Sequence, residues 1–271
     1  MEILQYTFFQ NALIGSLLAS IVCGFIGTYI VTRRLVFISG GITHASFGGI
    51  GLGVYAGVNP ILTAMVFAVL CGFGVQWMSR KTDVREDSAI ALFWTLGMSI
   101  GIIFSFLTPG FMTDLPSFLF GNILTIGRAD LWLLGVLAIG VVAVFVMFYR
   151  LIVSVAFDRT FALARRLPVK TTEYVMMALI AVTIVSTLRM VGIVLAISLL
   201  TIPQMTANLL TFDYKKMIGW SVLIGWIDCL LGLLISYQLN VPSGASIIFV
   251  SIFLYLLTRI GKRLFSSSSV Q

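Results

Sequence analysis

The chain has 271 residues, 59% of them hydrophobic and 10% charged, with a formal charge of +7 and a mean hydropathy of +1.09. Soluble domains carry about 25% charged residues, so this composition excludes an ordinary soluble domain, and the positive charge does not point to nucleic acid. Cys23, Cys71 and Cys229 each lie inside an apolar run with no CxxC spacing, which argues for packing rather than a disulfide framework or zinc knuckle.

Nine apolar segments can be drawn, roughly 10–31, 43–58, 60–79, 88–108, 130–149, 172–188, 191–210, 217–238 and 243–260, most of them near the ~17 to 25 residues that cross a bilayer. Glu2 and the lack of basic residues before the first segment argue against a cleaved signal peptide. The connection after segment one holds Arg33 and Arg34. Segment two is rich in small residues, from Ser39-Gly40-Gly41 through Thr43-His44-Ala45-Ser46 to Gly57. Ala45, Gly49, Gly53 and Gly57 step by four, a pattern that suits either close helix packing or a pore lining. His44 is the only histidine, with Gly40 and Gly48 one turn to either side, so its face is expected to be unobstructed. An ionisable group at membrane depth is a functional candidate, and imidazole is a common ligand for transition metals. One histidine makes no site, but a homodimer would bring two to one axis. The competing reading is a histidine hydrogen-bonded to a neighbouring helix.

Arg80, Lys81 and Arg85 follow segment three, and Glu86 and Asp87 open segment four, where acids suit the helix dipole. The next connection, Pro109 to Arg128, is too apolar for a solvated loop and too short for a span. It reads as an interfacial or re-entrant piece, with Phe120 a candidate for the gate or pathway. The connection from Tyr149 to Thr172 places Phe157, Phe161 and Ala164 or Arg165 at helical spacing and stops at Pro168. It predicts a short amphipathic helix, suited to an anionic lipid surface or to a cytoplasmic partner. In segment seven, Pro203 predicts a kink, with Gln204 and Met205 beside it able to meet a substrate or to repair the break. Asp228 in segment eight stands out as the clear buried acid of the chain, suited to function or to a structural hydrogen bond.

The basic residues decide the orientation. Fifteen of the seventeen Lys and Arg fall in the connections after segments one, three, five, seven and nine, leaving Arg128 and Arg189 for the opposite side. The basic side is cytoplasmic. The expected fold is an all-α integral membrane protein with about nine transmembrane helices, or eight full spans plus a partial helix, with the N-terminus outside and the C-terminus cytoplasmic. Residues 1–265 form one transmembrane domain, and 266–271 a disordered tail. No GxxxxGK[ST], HExxH or GxSxG motif is present, so no ATP-binding or hydrolytic activity is expected of this chain, nor any bound cofactor.

Several markers stand in order along nearly the whole length: Arg33-Arg34 before Thr43-His44-Ala45; Glu86-Asp87-Ser88-Ala89-Ile90; Asp114 through Phe118-Leu119-Phe120-Gly121; Phe157-Asp158; Val191-Gly192 through Pro203; and Val241-Pro242-Ser243-Gly244-Ala245. In these the chain resembles the ABC-3 family, the permease subunits of bacterial ATP-binding-cassette importers for zinc, manganese and iron. The resemblance implies a type II importer-like permease in the plasma membrane (the inner membrane of a Gram-negative source) that moves a divalent metal by alternating access, zinc or manganese first. It implies as partners a second copy of the chain, two cytoplasmic ATP-binding subunits, an extracytoplasmic metal-binding protein and membrane lipid. Phe157, Asp158, Phe161, Arg165 and Arg166 would form the helix that couples to the ATPase. His44 would contact the metal, helped by Thr43 and Ser46, while Pro203, Gln204 and Asp228 are candidates for the gate or pathway. The family typically has Asp four residues before this His, and here Gly40 removes that hard oxygen ligand. The rival reading is a secondary transporter of a small cation or solute with Asp228 as coupling residue, which would need more buried acids and often an internal repeat.

Overall fold

The computed structural model describes residues 6–108 and 126–267, all of its regular structure being helical. Among the described residues eleven helices run in order: α1 Thr7–Thr32, α2 Val36–Tyr55, α3 Pro60–Lys81, α4 Glu86–Leu107, α5 Arg128–Met147, α6 Tyr149–Phe157, α7 Arg159–Ala164, α8 Val169–Leu199, α9 Ile202–Leu210, α10 Tyr214–Leu239 and α11 Ser243–Ser267. Eight stretches among them are long and apolar enough to cross a membrane, with Val169–Leu188 and Val191–Leu210 counted separately. The Pro109–Asn122 piece and Phe120 lie outside the described residues, as does most of the expected tail, although α11 extends to Ser267.

Local chemistry sets the ends. The Asn59 side chain accepts from the Ile61 N–H at 3.0 Å and Pro60 occupies the first turn of α3. Glu86 and Asp87 lie in the first turn of α4, as the dipole favours. Asp213 caps α10 by accepting from Lys216 N–H at 3.0 Å. Two helices end in the same way. After α1, Arg34 is left-handed (φ 59), with Leu35 N–H bonded back to Ile30 O at 2.8 Å. After α7, Arg166 is left-handed (φ 55), with Leu167 N–H bonded back to Ala162 O at 3.1 Å. Both are Schellman closures with arginine where glycine is usual.

That first closure moves a boundary. Segment two, expected from residue 43, begins at Val36 because the chain turns within Arg33–Leu35. Ser39, Gly40 and Gly41 do not break the helix. The Ser39 hydroxyl donates to Val36 O at 2.7 Å, and the three residues sit in a protein-packed helix rather than a solvated loop.

Helix α1 and the first half of α8 form the centre. In both, 67% of the apolar window is buried, against 22% in α4, so α4 presents far more of its surface outward. Tyr29, Ile26 and Ile30 of α1 and Met176, Ile180 and Ile184 of α8 are among the largest fully buried side chains, and Phe145 of α5 meets Phe25 edge-on at 5.3 Å. Cys23, Cys71 and Cys229 are buried and free, as packing residues.

Candidate functional site

Three regions hold the described candidate residues: the α2 helix around His44, the α6–α8 segment with its flanking helix ends, and α9–α10 with Pro203, Gln204 and Asp228.

Helix α2 is wedged between α3 and α4 by backbone contact. A Cβ placed on Gly49 would lie 2.5 Å from Ala64 Cα, and one on Gly53 2.8 Å from Pro60 Cα, so this part of the small-residue stripe faces α3. Gly48 and Gly51 face α4, where added Cβ atoms would meet the carbonyl oxygens of Gly97 at 2.7 Å and Gly101 at 2.6 Å. Ala45 meets Gly97 in the same seam. Of the two uses weighed for the stripe, packing is the one these contacts show, because no side chain fits between the helices. Gly57 lies beyond α2 at φ 66, with open space around it.

The face of His44 is not unobstructed. Its imidazole stacks on Trp94 of α4, with ring centroids 4.4 Å apart and planes 5° from parallel, and Gly48 is closed off by Gly97 and Phe67. Nδ1 is buried without a hydrogen-bond partner among the described residues, and the ring is held by stacking rather than by the neighbouring-helix bond of the competing reading. Thr43 and Ser46 are fully buried, and their hydroxyls donate to Ser39 O and Thr43 O of the same helix. Neither is bonded to the imidazole. Gly40, one turn away, is different from the other glycines of the helix. The nearest atom to a Cβ there is Ile197 Cδ1, at 3.9 Å. Among the described residues no group of three or more His, Cys, Asp and Glu could hold a metal ion.

The inner segment differs from the single amphipathic helix read from the spacing. Phe157 closes α6, and Asp158 stands between helices in extended geometry (φ −143, ψ 100). Its side chain then starts α7, accepting from Phe161 N–H at 2.9 Å and from the Thr160 hydroxyl at 2.6 Å. These bonds, the backbone one first, hold the carboxyl below its ordinary value of 3.8. The carboxylate outcompetes helix continuation because it satisfies an orphan N–H at the start of a new helix. α7 rests on a small apolar cluster of Val155, Ala162 and Val169. Its outward side carries Phe161, which is 50% exposed with the Arg165 guanidinium 5.2 Å from its ring centroid. Phe157 packs edge-on against Tyr214 at 5.8 Å while remaining exposed.

The break near Pro203 falls at Leu200–Thr201, two residues before the proline, which occupies the first turn of α9. Gln204 is fully buried, and its Nε2 donates to Cys23 O of α1 at 2.8 Å and to Leu199 O at 3.0 Å. These bonds tie the break to α1, which is the repaired-kink arrangement. Asp228 is fully buried, with Ser251 of α11 as its nearby hydroxyl, and that hydroxyl also donates to Ile247 O at 3.0 Å. A second break falls close to the expected division between segments 172–188 and 191–210: Gly192 adopts φ 73, ψ 174 inside α8, at the start of the second apolar stretch Val191–Leu210.

Sequence reasoning also missed Glu173, so Asp228 is not the sole buried acid. Glu173 is 4% exposed and sits in the first turns of α8, within ion-pair distance of Arg33, Arg80 and Arg159. Its signal was a lone acid between Lys170 and a long apolar run, in a region otherwise dominated by arginine.

The ABC 3 transport family model matches residues 5–262. An uncharacterised membrane protein of Synechocystis sp. is 41% identical over 257 residues, covering 95% of this chain and 92% of that protein. The manganese transport system membrane protein MntC of Halalkalibacterium halodurans is 32% identical over 256 residues, covering 94% and 88%. Among solved structures, PsaBC from Streptococcus pneumoniae in complex with Fab superposes with a TM-score of 0.85 at 28% identity, covering 95% of this chain and 92% of that one.

Proposed function

The chain belongs to the ABC 3 transport family, and on that premise we propose that, as the multi-pass permease subunit of a bacterial metal-ion importer, it carries manganese or zinc inward through a dimer of two copies. It is a transporter subunit and not an enzyme, so ATP is hydrolysed on separate chains. Two cytoplasmic ATP-binding subunits drive the cycle, and an extracytoplasmic binding protein delivers the ion. Residues 1–265 act as one transmembrane unit of about nine crossings, in which α2 is the ninth membrane helix beside the eight long apolar spans, since Arg33 at the end of α1 and Arg80 at the end of α3 meet on one side at Glu173. The N-terminus is outside, the C-terminus is inside, and 266–271 form a cytoplasmic tail. The secondary-transporter reading falls away with the family match.

The observation that carries the coupling part of this reading is α7. It is a six-residue helix, capped by Asp158 at its start and closed by Arg165-Arg166 at its end, that leaves Phe161 half exposed. A short helix of this kind presents an aromatic anchor to a groove on a partner. Asp158, Arg165 and Arg166 fix its ends, and Phe157 borders it. ATP binding by the partner would move α7 and shift the dimer between outward- and inward-open states. His44 then makes a weak, transient contact with the passing ion, two copies facing each other across the dimer axis. A conducting site must release what it binds. Pro203, Gln204, Asp228 and Phe120 remain candidates for the gate.

Proteoliposomes holding the permease with and without its ATP-binding subunit test the reading. Manganese or zinc uptake should require both chains and ATP. Uptake by the permease alone, driven by an ion gradient and abolished by Asp228→Asn, would overturn it in favour of secondary transport.

A further inference from the structure

We infer that Glu173 is a positioning residue that ties the coupling helix α7 to the ends of α1 and α3, so that movement of α7 is transmitted to the helices around the transport path. The inference rests on the assignment of α7 as the coupling element and adds the connection behind it.

One buried carboxylate gathers three guanidiniums from three other helix ends. Oε1 accepts from Arg33 Nη2 at 3.0 Å, just past the end of α1, and from Arg159 Nε at 3.1 Å, the first residue of α7. Oε2 pairs with Arg80 Nη2, in the last turn of α3. Arg33 reaches further, donating from Nη1 to Val155 O of α6 at 3.3 Å. Oriented with its carbonyl toward Arg80, Gln76 accepts from Nε at 2.7 Å and from Nη2 at 2.8 Å, which fixes that side chain in place.

The charges make the carboxylate necessary. Three guanidiniums meet at one acid, and the surrounding cavity of about 510 Å³ adds Lys81 and Lys170 against Glu86. Without Glu173 the arginines would repel one another across a partly desolvated space. Pairs of guanidinium and carboxylate have directional geometry, so they transmit displacement better than apolar contact does. The apolar support of α7 is small: a cluster of Val155, Ala162 and Val169 with Leu151 and Leu167 packed against it. On the other side, α3 contacts α2 through Gly49 and Gly53, so a shift of α3 is felt by the helix that bears His44. The route from α7 to His44 is thus Arg159, Glu173, Arg80, α3 and α2. A residue that supports folding alone would not need to join the one element expected to move.

The test uses the full complex of permease and ATP-binding subunits in proteoliposomes, reading metal delivered per ATP hydrolysed. Arg159→Gln is the primary variant because Arg159 is 43% exposed and its loss leaves the buried pairs with Arg33 and Arg80 in place. Its metal-per-ATP ratio should fall by about tenfold, within the usual range of coupling between distant sites. Glu173→Gln should do the same, Glu173→Asp should recover part of the ratio, and the double variant should be no worse than either single change, since both cut one link. A wild-type ratio in Arg159→Gln overturns the proposal, as does a double variant whose losses multiply. A cysteine at position 161 cross-linked to the ATP-binding subunit separates the two ideas. Cross-linking with an unchanged ratio sinks the Glu173 link alone, whereas no cross-link in otherwise unaltered complexes sinks the coupling assignment on which it stands.

Discussion

Removing the Phe161 ring should weaken attachment of the ATP-binding subunit without unfolding the permease. Phe161 is 50% exposed. A phenylalanine buries about 200 Å² when fully covered, so about half of that area remains for a partner to take from water. At about 25 cal/mol per Å² this is worth about 2.5 kcal/mol. Alanine retains a little of the contact, so Phe161→Ala should cost about 2 kcal/mol per site, roughly thirtyfold in affinity. The permease itself should tolerate the change, because the buried member of α7 is Ala162, while Phe161 is in contact with Arg165. Titration of the labelled ATP-binding subunit onto permease in nanodiscs gives the affinity, and thermal unfolding of the permease alone gives the control. An unchanged affinity, with the variant folded, would show that α7 does not dock through this ring.

Three further outcomes are expected. The charge split places Val241 outside and Arg165 inside, so a membrane-impermeant thiol reagent should label Val241→Cys in intact cells and Arg165→Cys only after permeabilisation, with little background from the three buried cysteines; the reverse pattern would refute the orientation. His44→Ala should lower metal uptake strongly while leaving assembly intact, and His44→Asn, which keeps a hydrogen-bonding group but is a poor ligand, should be as impaired; near-normal uptake by the Asn variant would reduce His44 to a packing residue stacked on Trp94. Gly97→Val forces atoms into a seam where a Cβ would already lie 2.5 Å from Ala45 Cα, so it should destabilise the protein by at least about 1–3 kcal/mol. Wild-type thermal stability in that variant would mean that α2 and α4 are not held in backbone contact.

The helical class and nearly all the spans were legible because long apolar runs punctuated by arginine leave little else for the chain to do. What was not legible depended on local competition and on distant partners. The start of α2 was placed at residue 43 because Ser39-Gly40-Gly41 carry no apolar side chain, and the turn at Arg33–Leu35 is closed by a left-handed arginine where glycine is usual. Asp158 was read inside a helix, but its carboxylate does better as the cap of a new one. The stripe of glycines was visible as a stripe, whereas its division between α3 and α4 follows from helix positions that no spacing specifies. Glu173 shows the largest gap. Its partners lie 14, 93 and 140 residues away along the chain (Arg159, Arg80 and Arg33), so a lone acid in a basic segment carried no sign that it would collect all three. His44 was singled out correctly as unusual, but Trp94, which covers its ring, stands fifty positions on, in another helix.

The space beside Gly40 bears on what that position could carry. Most other glycines of α2 are fixed by steric demand, since a Cβ on Gly41, Gly48, Gly49, Gly51 or Gly53 would meet a neighbour at 2.8 Å or less. Gly40 is free of that demand, and a side chain there would touch Ile197 only at ordinary van der Waals distance. The helix therefore did not have to give up a carboxylate in order to pack. A single substitution at position 40 would therefore place a carboxylate one turn from His44 while leaving the seams of α2 with α3 and α4 as they are.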